Sequence, residues 1–402
     1  MKLSIIEQIA AEQKETLLQN DKGLPREALT TLSLLESHAL IISGIRRCGK
    51  STLLNQYLSQ NKQDFFYFKF EDISLYDFQI KDFTLLDTVI KNSGTKLLFF
   101  DEIQVVNGWE LFVRQKLDQH YQMVITGSNA SLLSRELGTK LTGRQITKEL
   151  FPFSYQEFIS FRNENKGLES FMSYMQTGGF PEYVKTGNPD ILSALVDDIL
   201  YRDIVVRYGI KDASSVKRLL SCLFFNAAKL ISPSKLKEIA GVKSPSTLLD
   251  YFSYLEASYM VQLMPKFSFS IKSQMLAPKK VYICDTGLIK AGTILLTENY
   301  GFLLENIIFL HLRRRTKELF YYNENNKECD FIVLKNGKIE QIIQVCWDLN
   351  SDNEDREIKG LIDAMHYFNQ SAGCIVTLNQ KDTIFYEDVA IEVIPVYEFL
   401  TK

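Results

Sequence analysis

Gly44-Ile45-Arg46-Arg47-Cys48-Gly49-Lys50-Ser51 matches the pattern G-x-x-x-x-G-K-[ST] and is the most informative stretch of this 402-residue sequence. It lies between the apolar run Ala39–Ser43, predicted to be a buried strand, and Lys50–Ser59, predicted to be a helix. Glycine at both ends lets the backbone curl so that its N–H groups point at phosphate oxygens. The alternative is a chance glycine turn, which the strand–loop–helix context disfavours. We therefore predict a phosphate-binding loop.

We expect nucleotide contacts along the whole loop, from Gly44, Ile45, Arg46, Arg47, Cys48, Gly49, Lys50, Ser51 and Thr52. Lys50 would bring its charge to the β- and γ-phosphates of ATP. The Ser51 hydroxyl would hold Mg²⁺ at a helix N-terminus, where the dipole favours anions. The two loop arginines are more typical of residues that brace the loop against nearby carboxylates such as Glu71 and Asp72.

A second motif lies about 50 residues downstream, where the apolar run Lys96–Phe100 ends in Asp101 and Glu102. Phosphate-loop enzymes need an acid at such a strand end to hold the Mg²⁺ shell, and we assign this role to Asp101. Glu102 occupies the position of a base that polarises the attacking water. A strand that simply ends in solvated carboxylates is the alternative. The two motifs together predict ATP binding and hydrolysis.

Two further candidates follow the next predicted strand. The segment Thr126–Asn129 would place a polar side chain, that of Asn129, where it senses the γ-phosphate or orients water. The alternative is an N-cap for a predicted helix over Ala130–Leu137. Arg144 would act as an arginine finger on the γ-phosphate, with a surface salt bridge as the alternative. A finger acting in trans would require a homo-oligomer.

The composition limits the classes of protein to which this sequence can belong. Hydrophobic residues make up 46% and charged residues 24%, as in ordinary globular proteins, and the net charge of −3 gives no global case for nucleic acid. Six scattered cysteines without a C-x-x-C pair, and four histidines, argue against a zinc site and a disulfide framework. We expect a reducing cytoplasm. No apolar run approaches the length of a membrane span, and Met1–Asn20 is predicted to be an amphipathic helix rather than a signal peptide.

The fold class predicted from the order of elements is α/β. Strands and helices alternate up to residue 150, which predicts a parallel sheet with helices on both faces and ligands at the carboxyl ends of the strands. The predicted domains are a phosphate-loop domain at 1–150, a helical lid at 151–208, a winged-helix module at 209–291 and a second α/β domain at 292–402.

The winged-helix prediction rests on three predicted helices, Ser214–Ala228, Ser232–Ala240 and Ser244–Ser258, the last with Pro245 in its first turn. The apolar runs near 260–265 and 280–284 would form the wing. The second and third helices have helix-turn-helix spacing, which would put Lys243, Ser244 and Ser246 against DNA. The start of the third helix carries no arginine, so a protein-docking or packing module is the alternative.

The last hundred residues are predicted as helix, three strands, helix and strand. This order resembles the PD-(D/E)xK nuclease core, in which an Asp, a Glu-x-Lys and a helix Glu bind Mg²⁺. Asp330 and Glu305 match the Asp and the helix Glu, but Gln344-Val345-Cys346 stands in place of Glu-x-Lys. Glutamine lacks the anionic oxygen that Mg²⁺ favours, and cysteine lacks the lysine charge. We therefore expect a retained fold with lost chemistry.

The whole chain resembles a bacterial and archaeal group of AAA-type ATPases with a C-terminal domain of unknown function. The matching segments, in chain order, are Gly44–Thr52, Phe70–Asp72, Phe100–Gln104, Thr126–Ser128, Gly143–Arg144, Gly178–Glu182, Asp285–Leu288 and Glu328–Phe331. The resemblance implies an ATPase core, a winged helix and a nuclease-like tail. The Gln344–Cys346 segment is where this chain departs from the group.

Three functions remain open at this point. The first is an ATP-driven conformational switch, with Lys50, Ser51 and Asp101 holding Mg·ATP and Glu102 positioning water, acting on double-stranded DNA or on a protein partner. The second is an ATP-regulated nuclease that uses the C-terminal site. The third, a small-molecule kinase, is disfavoured by the carboxylate at position 102 and by the large appended domains.

Overall fold

The computed structural model describes residues 1–60, 63–129, 141, 143–293, 300–325, 327–386 and 389–402. The chain divides into two compact units, Met1–Phe151 and Pro152–Lys402. The first unit ends one residue after the predicted phosphate-loop domain, and the finer division of the second unit into three domains stays a prediction. Within the described residues, helices that combine the length and the apolar character needed to cross a membrane are absent.

A parallel sheet of five strands, in the order β2-β3-β4-β1-β5, forms the centre of the first unit. The strands are β1 Ala39–Ser43, β2 Phe66–Lys69, β3 Leu97–Asp101, β4 Gln122–Gly127 and β5 Gln145–Glu149. The α/β fold class and the first four strands are confirmed. The sequence does not predict β5, because this strand contains a single aliphatic residue and shows no apolar period.

Helices connect or pack against these strands: α1 Leu3–Gln19, α2 Lys50–Gln60, α3 Phe83–Ser93 and α4 Trp109–Asp118. The predicted amphipathic N-terminal helix is confirmed, since α1 buries Ile6, Ile9 and Leu17 along one face. Aromatic side chains of β2, β3 and α4 fill the core beside it. The helix predicted over Ala130–Leu137 lies outside the described residues.

The direction of the strands decides which residues share an edge of the sheet. The register pairs Ser43 with Gly127 and Asp101 with Thr126, so β1, β3 and β4 end together. Because all five strands are parallel, this carboxyl edge gathers the phosphate loop and the acidic pair. Arg144 directly precedes β5 and therefore lies at the opposite, amino edge of the sheet.

The second unit begins with the helices α5 Tyr155–Arg162, α6 Leu168–Thr177, α7 Pro181–Thr186 and α8 Asp190–Asp198. The last of these continues as a π-helical stretch, Ile199–Val206. The helical character predicted for this segment is confirmed, and its role as a lid stays a prediction. Ser154 caps α5, because its hydroxyl oxygen accepts a hydrogen bond from Glu157 N. In return, the carboxylate of Glu157 accepts a hydrogen bond from Ser154 N.

The next part contains α9 Ala213–Phe225, α10 Pro233–Ala240, α11 Pro245–Ala257, α12 Ile271–Leu276 and α13 Thr286–Gly292. Its antiparallel strands are β6 Leu230–Ile231, β7 Val261–Met264 and β8 Lys279–Ile283, in the order β6-β8-β7. The three helices and two wing strands predicted from the sequence are present. The short β6, α12 and α13 are additions.

The chain ends in a mixed sheet of six strands, in the order β13-β14-β12-β11-β10-β9. Its elements are α14 Gly301–Arg315, β9 Leu319–Glu324, β10 Lys327–Lys335, β11 Lys338–Val345, α15 Glu354–Tyr367, β12 Ala372–Thr377, β13 Asp382–Tyr386, β14 Val389–Pro395 and α16 Val396–Phe399. The predicted order of helix, three strands, helix and strand is therefore present. The elements after β12 extend it.

Candidate functional site

The phosphate loop between β1 and α2 is held tightly against neighbouring backbone. Gly44 N donates to Gly127 O at 3.3 Å, at the end of β4. A Cβ at position 44 would fall 2.1 Å from Leu150 O, so no other residue fits there. Gly49 has φ of 100°, a conformation that residues with a side chain rarely adopt. The backbone geometry alone therefore requires both glycines.

Lys50, the first residue of α2, is buried and held by the loop itself. Its Nζ donates to Gly44 O at 3.0 Å and to Ile45 O at 3.2 Å. The same nitrogen lies 3.8 Å from Glu102 Oε1. The side chains of Ile45 and Cys48 are also buried, so these two positions offer only backbone groups to a ligand. The ammonium is the charge that this loop can bring to a phosphate.

Asp101, at the end of β3, collects hydroxyl donors from three elements. Ser51 Oγ donates to its Oδ2 at 3.0 Å and Tyr67 Oη at 3.1 Å, while Thr126 Oγ1 donates to its Oδ1. Burial raises the pKa of Asp101, the neighbouring Glu102 raises it further, and the bonds from Thr126 and Ser51 lower it. A cation at this carboxylate would relieve the cost of burying its charge.

The oxygens of Ser51 and Asp101 fit a magnesium ion. Mg²⁺ takes oxygen ligands, and phosphate-transfer sites bind it through one or two protein oxygens together with substrate phosphates and water. The two side chains approach to 3.0 Å at the start of α2. A cavity of about 360 Å³ opens beside them and is also lined by Thr52, Asn55 and Tyr67. Ser51 and Asp101 are the residues that would hold the magnesium ion here.

Glu102 is fixed through one of its two carboxylate oxygens. Its Oε2 accepts hydrogen bonds from Ser128 N at 3.2 Å, from Ser128 Oγ at 3.1 Å and from the side-chain amide of Gln104. Its backbone has φ of 55°, which turns the side chain away from the line of β3. Oε1 is the oxygen closer to Lys50. One oxygen is thus anchored, and the other is directed toward the phosphate loop.

Asn129 follows β4 at the same edge and is 1% exposed. Its neighbour Ser128 takes part in the site by bonding to Glu102. Within the predicted segment Thr126–Asn129, Thr126 contacts Asp101 and Ser128 contacts Glu102. The proposed sensing role of Asn129 stays a prediction.

The two loop arginines differ. Arg46 Nη2 lies 3.2 Å from Glu71 Oε1, so the predicted bracing contact is present. Arg47 is exposed and has φ of 62°. Asp72, the second carboxylate considered for bracing, accepts instead from Gln13 and from Ser74 N. The predicted bracing of the loop is therefore present between Arg46 and Glu71.

Arg26 is a site residue that the sequence motifs did not indicate. Its side chain lies beneath the loop and is almost fully buried, at 4% exposed. Nη1 donates to Cys48 O at 2.8 Å and Nη2 donates to Phe151 O at 2.7 Å. Gly49 lies against the same guanidinium. Arg26 therefore fixes the phosphate loop to the end of the first unit, although it belongs to no recognisable pattern.

Arg144 does not meet the other predicted site residues. It precedes β5 at the amino edge, and its backbone carbonyl accepts from Ala39 N at the start of β1. Its guanidinium lies 2.8 Å from Asp118. The surface salt bridge is thus present, and the position across the sheet from the phosphate loop does not support a finger acting in cis. A residue that precedes a parallel strand lies at the edge opposite the strand ends that bind ligand, and a role of Arg144 in trans stays a prediction.

A second polar cluster lies in the C-terminal part. Asp330 on β10 and Glu305 on α14, the two predicted nuclease-like acids, do come together. Both contact the ammonium of Lys280, at 2.8 Å from Asp330 and 3.1 Å from Glu305, and Glu328 joins them at 2.9 Å. Lys280 belongs to β8 and was not a candidate from the sequence. The cluster borders a cavity of about 680 Å³.

The residues at the Glu-x-Lys positions form hydrogen bonds within the protein. Gln344 Oε1 accepts from Asp330 N at 3.1 Å, and its amide donates to Glu357 at 2.6 Å. Cys346 Sγ is directed to Asp348 O at 3.2 Å, and burial raises its pKa to about 11. Over the described part of the chain, groups of three or more His, Cys, Asp or Glu side chains able to hold a metal ion are absent.

Two regions of the chain match known protein families. An AAA domain matches residues 36–159, and a domain of unknown function, DUF8612, matches residues 168–297. The first region contains β1 to β5, the phosphate loop and the Asp101–Glu102 pair. This part of the chain is therefore a phosphate-loop domain of the AAA type.

Full-length relatives match as well. The uncharacterized protein MJ1544 of Methanocaldococcus jannaschii is 33% identical over 399 residues, which cover 92% of this chain and 89% of that protein. An uncharacterized protein of Haemophilus influenzae is 32% identical over 341 residues, covering 79% of this chain and 84% of that protein. The solved structure of Cdc6p from Pyrobaculum aerophilum covers 76% of this chain and 93% of that one, at 14% identity and a TM-score of 0.25, too low to bear on function. The identity and coverage of the first two matches place this chain in the family of MJ1544 and its Haemophilus relative, with an AAA domain at residues 36–159.

Proposed function

We propose that this protein hydrolyses ATP, with Glu102 orienting the attacking water. The observation that supports this most directly is the anchoring of Glu102 Oε2 by Ser128 and Gln104, which leaves Oε1 to accept a hydrogen bond from water. Lys50 would bind the phosphates from the loop. Ser51 and Asp101 would hold Mg²⁺, which when bound supplies positive charge to the phosphate oxygens.

We further propose that hydrolysis drives a conformational switch that acts on duplex DNA or on a protein partner. Support comes from the second unit, where the three helices and two strands predicted for a winged helix are present between residues 213 and 283. Lys243 is exposed in the turn before α11. Ser244 caps that helix by accepting from Ser246 N at 3.2 Å, which commits it to the helix end. These features fit either class of partner.

The test is steady-state ATP hydrolysis by the full chain, with and without duplex DNA, beside Glu102→Gln. We expect the variant to bind ATP with unchanged affinity and to lose about 100-fold or more of its turnover, since a positioned acid–base group contributes that much. Stimulation by DNA would identify DNA as the partner, and turnover indifferent to DNA would favour a protein. Undetectable turnover in the wild-type protein would refute the hydrolysis proposal.

The alternative is an ATP-regulated nuclease, and the geometry of the C-terminal cluster disfavours it. The ammonium of Lys280 lies between the acids that would bind the metal, and Gln344 supplies no third carboxylate. A plasmid-nicking assay with Mg²⁺ or Mn²⁺ separates the two functions. We expect no nicking that depends on Asp330, so cleavage abolished by Asp330→Ala would establish the nuclease.

A further inference from the structure

The ammonium of Lys280 is fully coordinated by carboxylates. Its Nζ lies 3.1 Å from Glu305 Oε1, 2.9 Å from Glu328 Oε1 and 2.8 Å from Asp330 Oδ1. An ammonium carries three N–H donors, and here each has one carboxylate within hydrogen-bond distance. The three oxygens therefore converge on a single point, and the Lys280 nitrogen occupies that point.

The backbone of β8 fixes the position of Lys280. Residues two apart on a strand face the same side, and Tyr282 accordingly donates to Glu305 Oε1 at 2.7 Å beside Lys280. The side chain of Asn306, next to Glu305 on α14, accepts from Ile283 N and donates to Ile283 O, both at 2.8 Å. Asn306 therefore holds β8 against α14 independently of the ion pairs. The backbone that carries Lys280 is fixed without help from its ammonium.

The charges in the cluster favour a cation at this point. One ammonium faces three carboxylates, and Lys280, Glu305 and Asp330 have side chains that are at most 15% exposed. Burial lowers the pKa of Lys280, but Asp330 and Glu305 raise it well above its ordinary value, so the group stays charged. The cavity beside the cluster leaves room for an ion to enter from solvent. The ammonium occupies the point on which the carboxylates converge, and further cationic side chains line the cavity around it.

We propose that Lys280 is a built-in cation that fills the site formed by Glu305, Glu328 and Asp330, so that the native cluster binds no divalent metal. Removal of the ammonium should uncover a divalent-cation site with hard oxygen ligands, which Mg²⁺ and Mn²⁺ prefer. The cluster joins β8 to α14 and β10, and its charge balance does not depend on ATP hydrolysis.

The test is Mn²⁺ binding to the full chain without nucleotide, measured by the loss of the free-ion EPR signal. The wild-type protein and Asp330→Asn should bind the same amount of Mn²⁺, because the cluster is already filled. Lys280→Met should gain about one equivalent, bound on the order of tenfold more tightly than any site in the wild type, and Lys280→Met/Asp330→Asn should lose it. Lys279→Met is the matched control, since Lys279 lies on the other face of β8.

Thermal unfolding keeps the proposal testable if Lys280→Met is poorly stable. Three carboxylates without their counter-ion should lower its melting temperature, and Mn²⁺ should restore part of the loss, because a ligand of the folded state stabilises it. Lys280→Arg, which keeps the charge, should behave like the wild type toward Mn²⁺. A wild-type Mn²⁺ site that disappears in Asp330→Asn would overturn the proposal. A Lys280→Met protein that neither binds Mn²⁺ nor is stabilised by it would also overturn it.

Discussion

The side-chain amide of Gln104 donates a hydrogen bond to Oε2 of Glu102, two residues earlier in the chain. Gln104 also touches the end of β4, since a Cβ at position 127 would fall 3.0 Å from its Oε1. Gly127 thus leaves space for the Gln104 carboxamide. Through this contact and the bonds from Ser128, the carboxylate is joined to the strand that ends beside the phosphate loop. We infer that Gln104 is a positioning residue for Glu102.

Gln104→Ala should therefore lower kcat for ATP hydrolysis about tenfold while leaving KM nearly unchanged. A hydrogen bond to a charged group is worth about 1.5–3 kcal/mol, and tenfold in rate corresponds to about 1.4 kcal/mol. Steady-state kinetics measures both constants. Gln8→Ala is the matched control, because Gln8 bonds to Glu12 on the exposed face of α1. A rise in KM with kcat unchanged would assign Gln104 to substrate binding instead.

The double variant Glu102→Gln/Gln104→Ala distinguishes positioning from a separate contribution. If Gln104 acts through the carboxylate of Glu102, its loss should cost little further activity once that carboxylate is gone. Single-turnover rates at saturating ATP make the comparison without interference from product release. If the rate loss of the double variant equals the product of the losses of the two single variants, Gln104 acts on the reaction independently of Glu102.

Arg26→Ala should destabilise the first unit by about 3 kcal/mol, because it removes charged donors from the buried carbonyls of Cys48 and Phe151. Urea denaturation followed by far-UV circular dichroism measures the change. ATP affinity should fall in parallel, since Cys48 belongs to the phosphate loop. Arg114→Ala, at an exposed position of α4, should stay within about 0.5 kcal/mol of the wild type. Equal stabilities for the two variants would contradict the bracing role.

The raised pKa of Asp285 predicts how the stability of the protein depends on pH. It accepts from Gly179 N at 2.6 Å and from Gly287 N at 2.8 Å, and burial raises its pKa from 3.8 to about 7 despite these bonds. The folded protein keeps this proton to a higher pH than the unfolded chain does. The contribution of Asp285 to stability is therefore present at low pH and is lost as pH rises through this window.

Compared with Asp285→Asn, the wild-type protein should lose stability between about pH 4 and pH 7 by up to about 1.4 kcal/mol per pH unit. Denaturant titrations at several pH values give this difference directly. Asp197→Asn, at a position with a 55% exposed side chain, should show a curve parallel to the wild type. A wild-type stability that rises relative to Asp285→Asn over this interval would give the opposite sign and reject the assignment.

Arg144→Ala should leave ATP turnover unchanged in dilute protein, because its guanidinium pairs with Asp118 at the amino edge of the sheet. The pair is partly exposed, so its loss should cost at most about 1 kcal/mol of stability. Turnover per subunit across a range of protein concentrations tests the remaining role in trans. A loss that appears only at high concentration would support a finger supplied by a second copy. A severalfold loss in dilute protein would contradict the edge assignment.

The elements that the sequence predicts well are those whose cause is local. The runs that became β1 and β3 are apolar at every position, and the phosphate loop needs glycine at 44 and 49 for its own backbone. The strand β5 is missed because its pairing with β1, rather than its composition, makes it a strand. The strands β13 and β14 are not among the predicted elements, although the apolar, β-branched run Val389–Pro395 is typical of a buried strand.

The sequence by itself determined that an AAA-type phosphate loop, a strand-end acid pair and two nuclease-like acids exist, because each depends on a few adjacent residues or on a familiar spacing. Only the tertiary structure decided what surrounds them. Arg26 reaches a carbonyl 125 residues away, and Lys280 reaches an acid 50 residues away. The tertiary structure also placed Arg144 at the edge of the sheet opposite the site. Packing determines which cation lies in the acidic cluster, because buried carboxylates need a positively charged partner and the fold brings Lys280 to them.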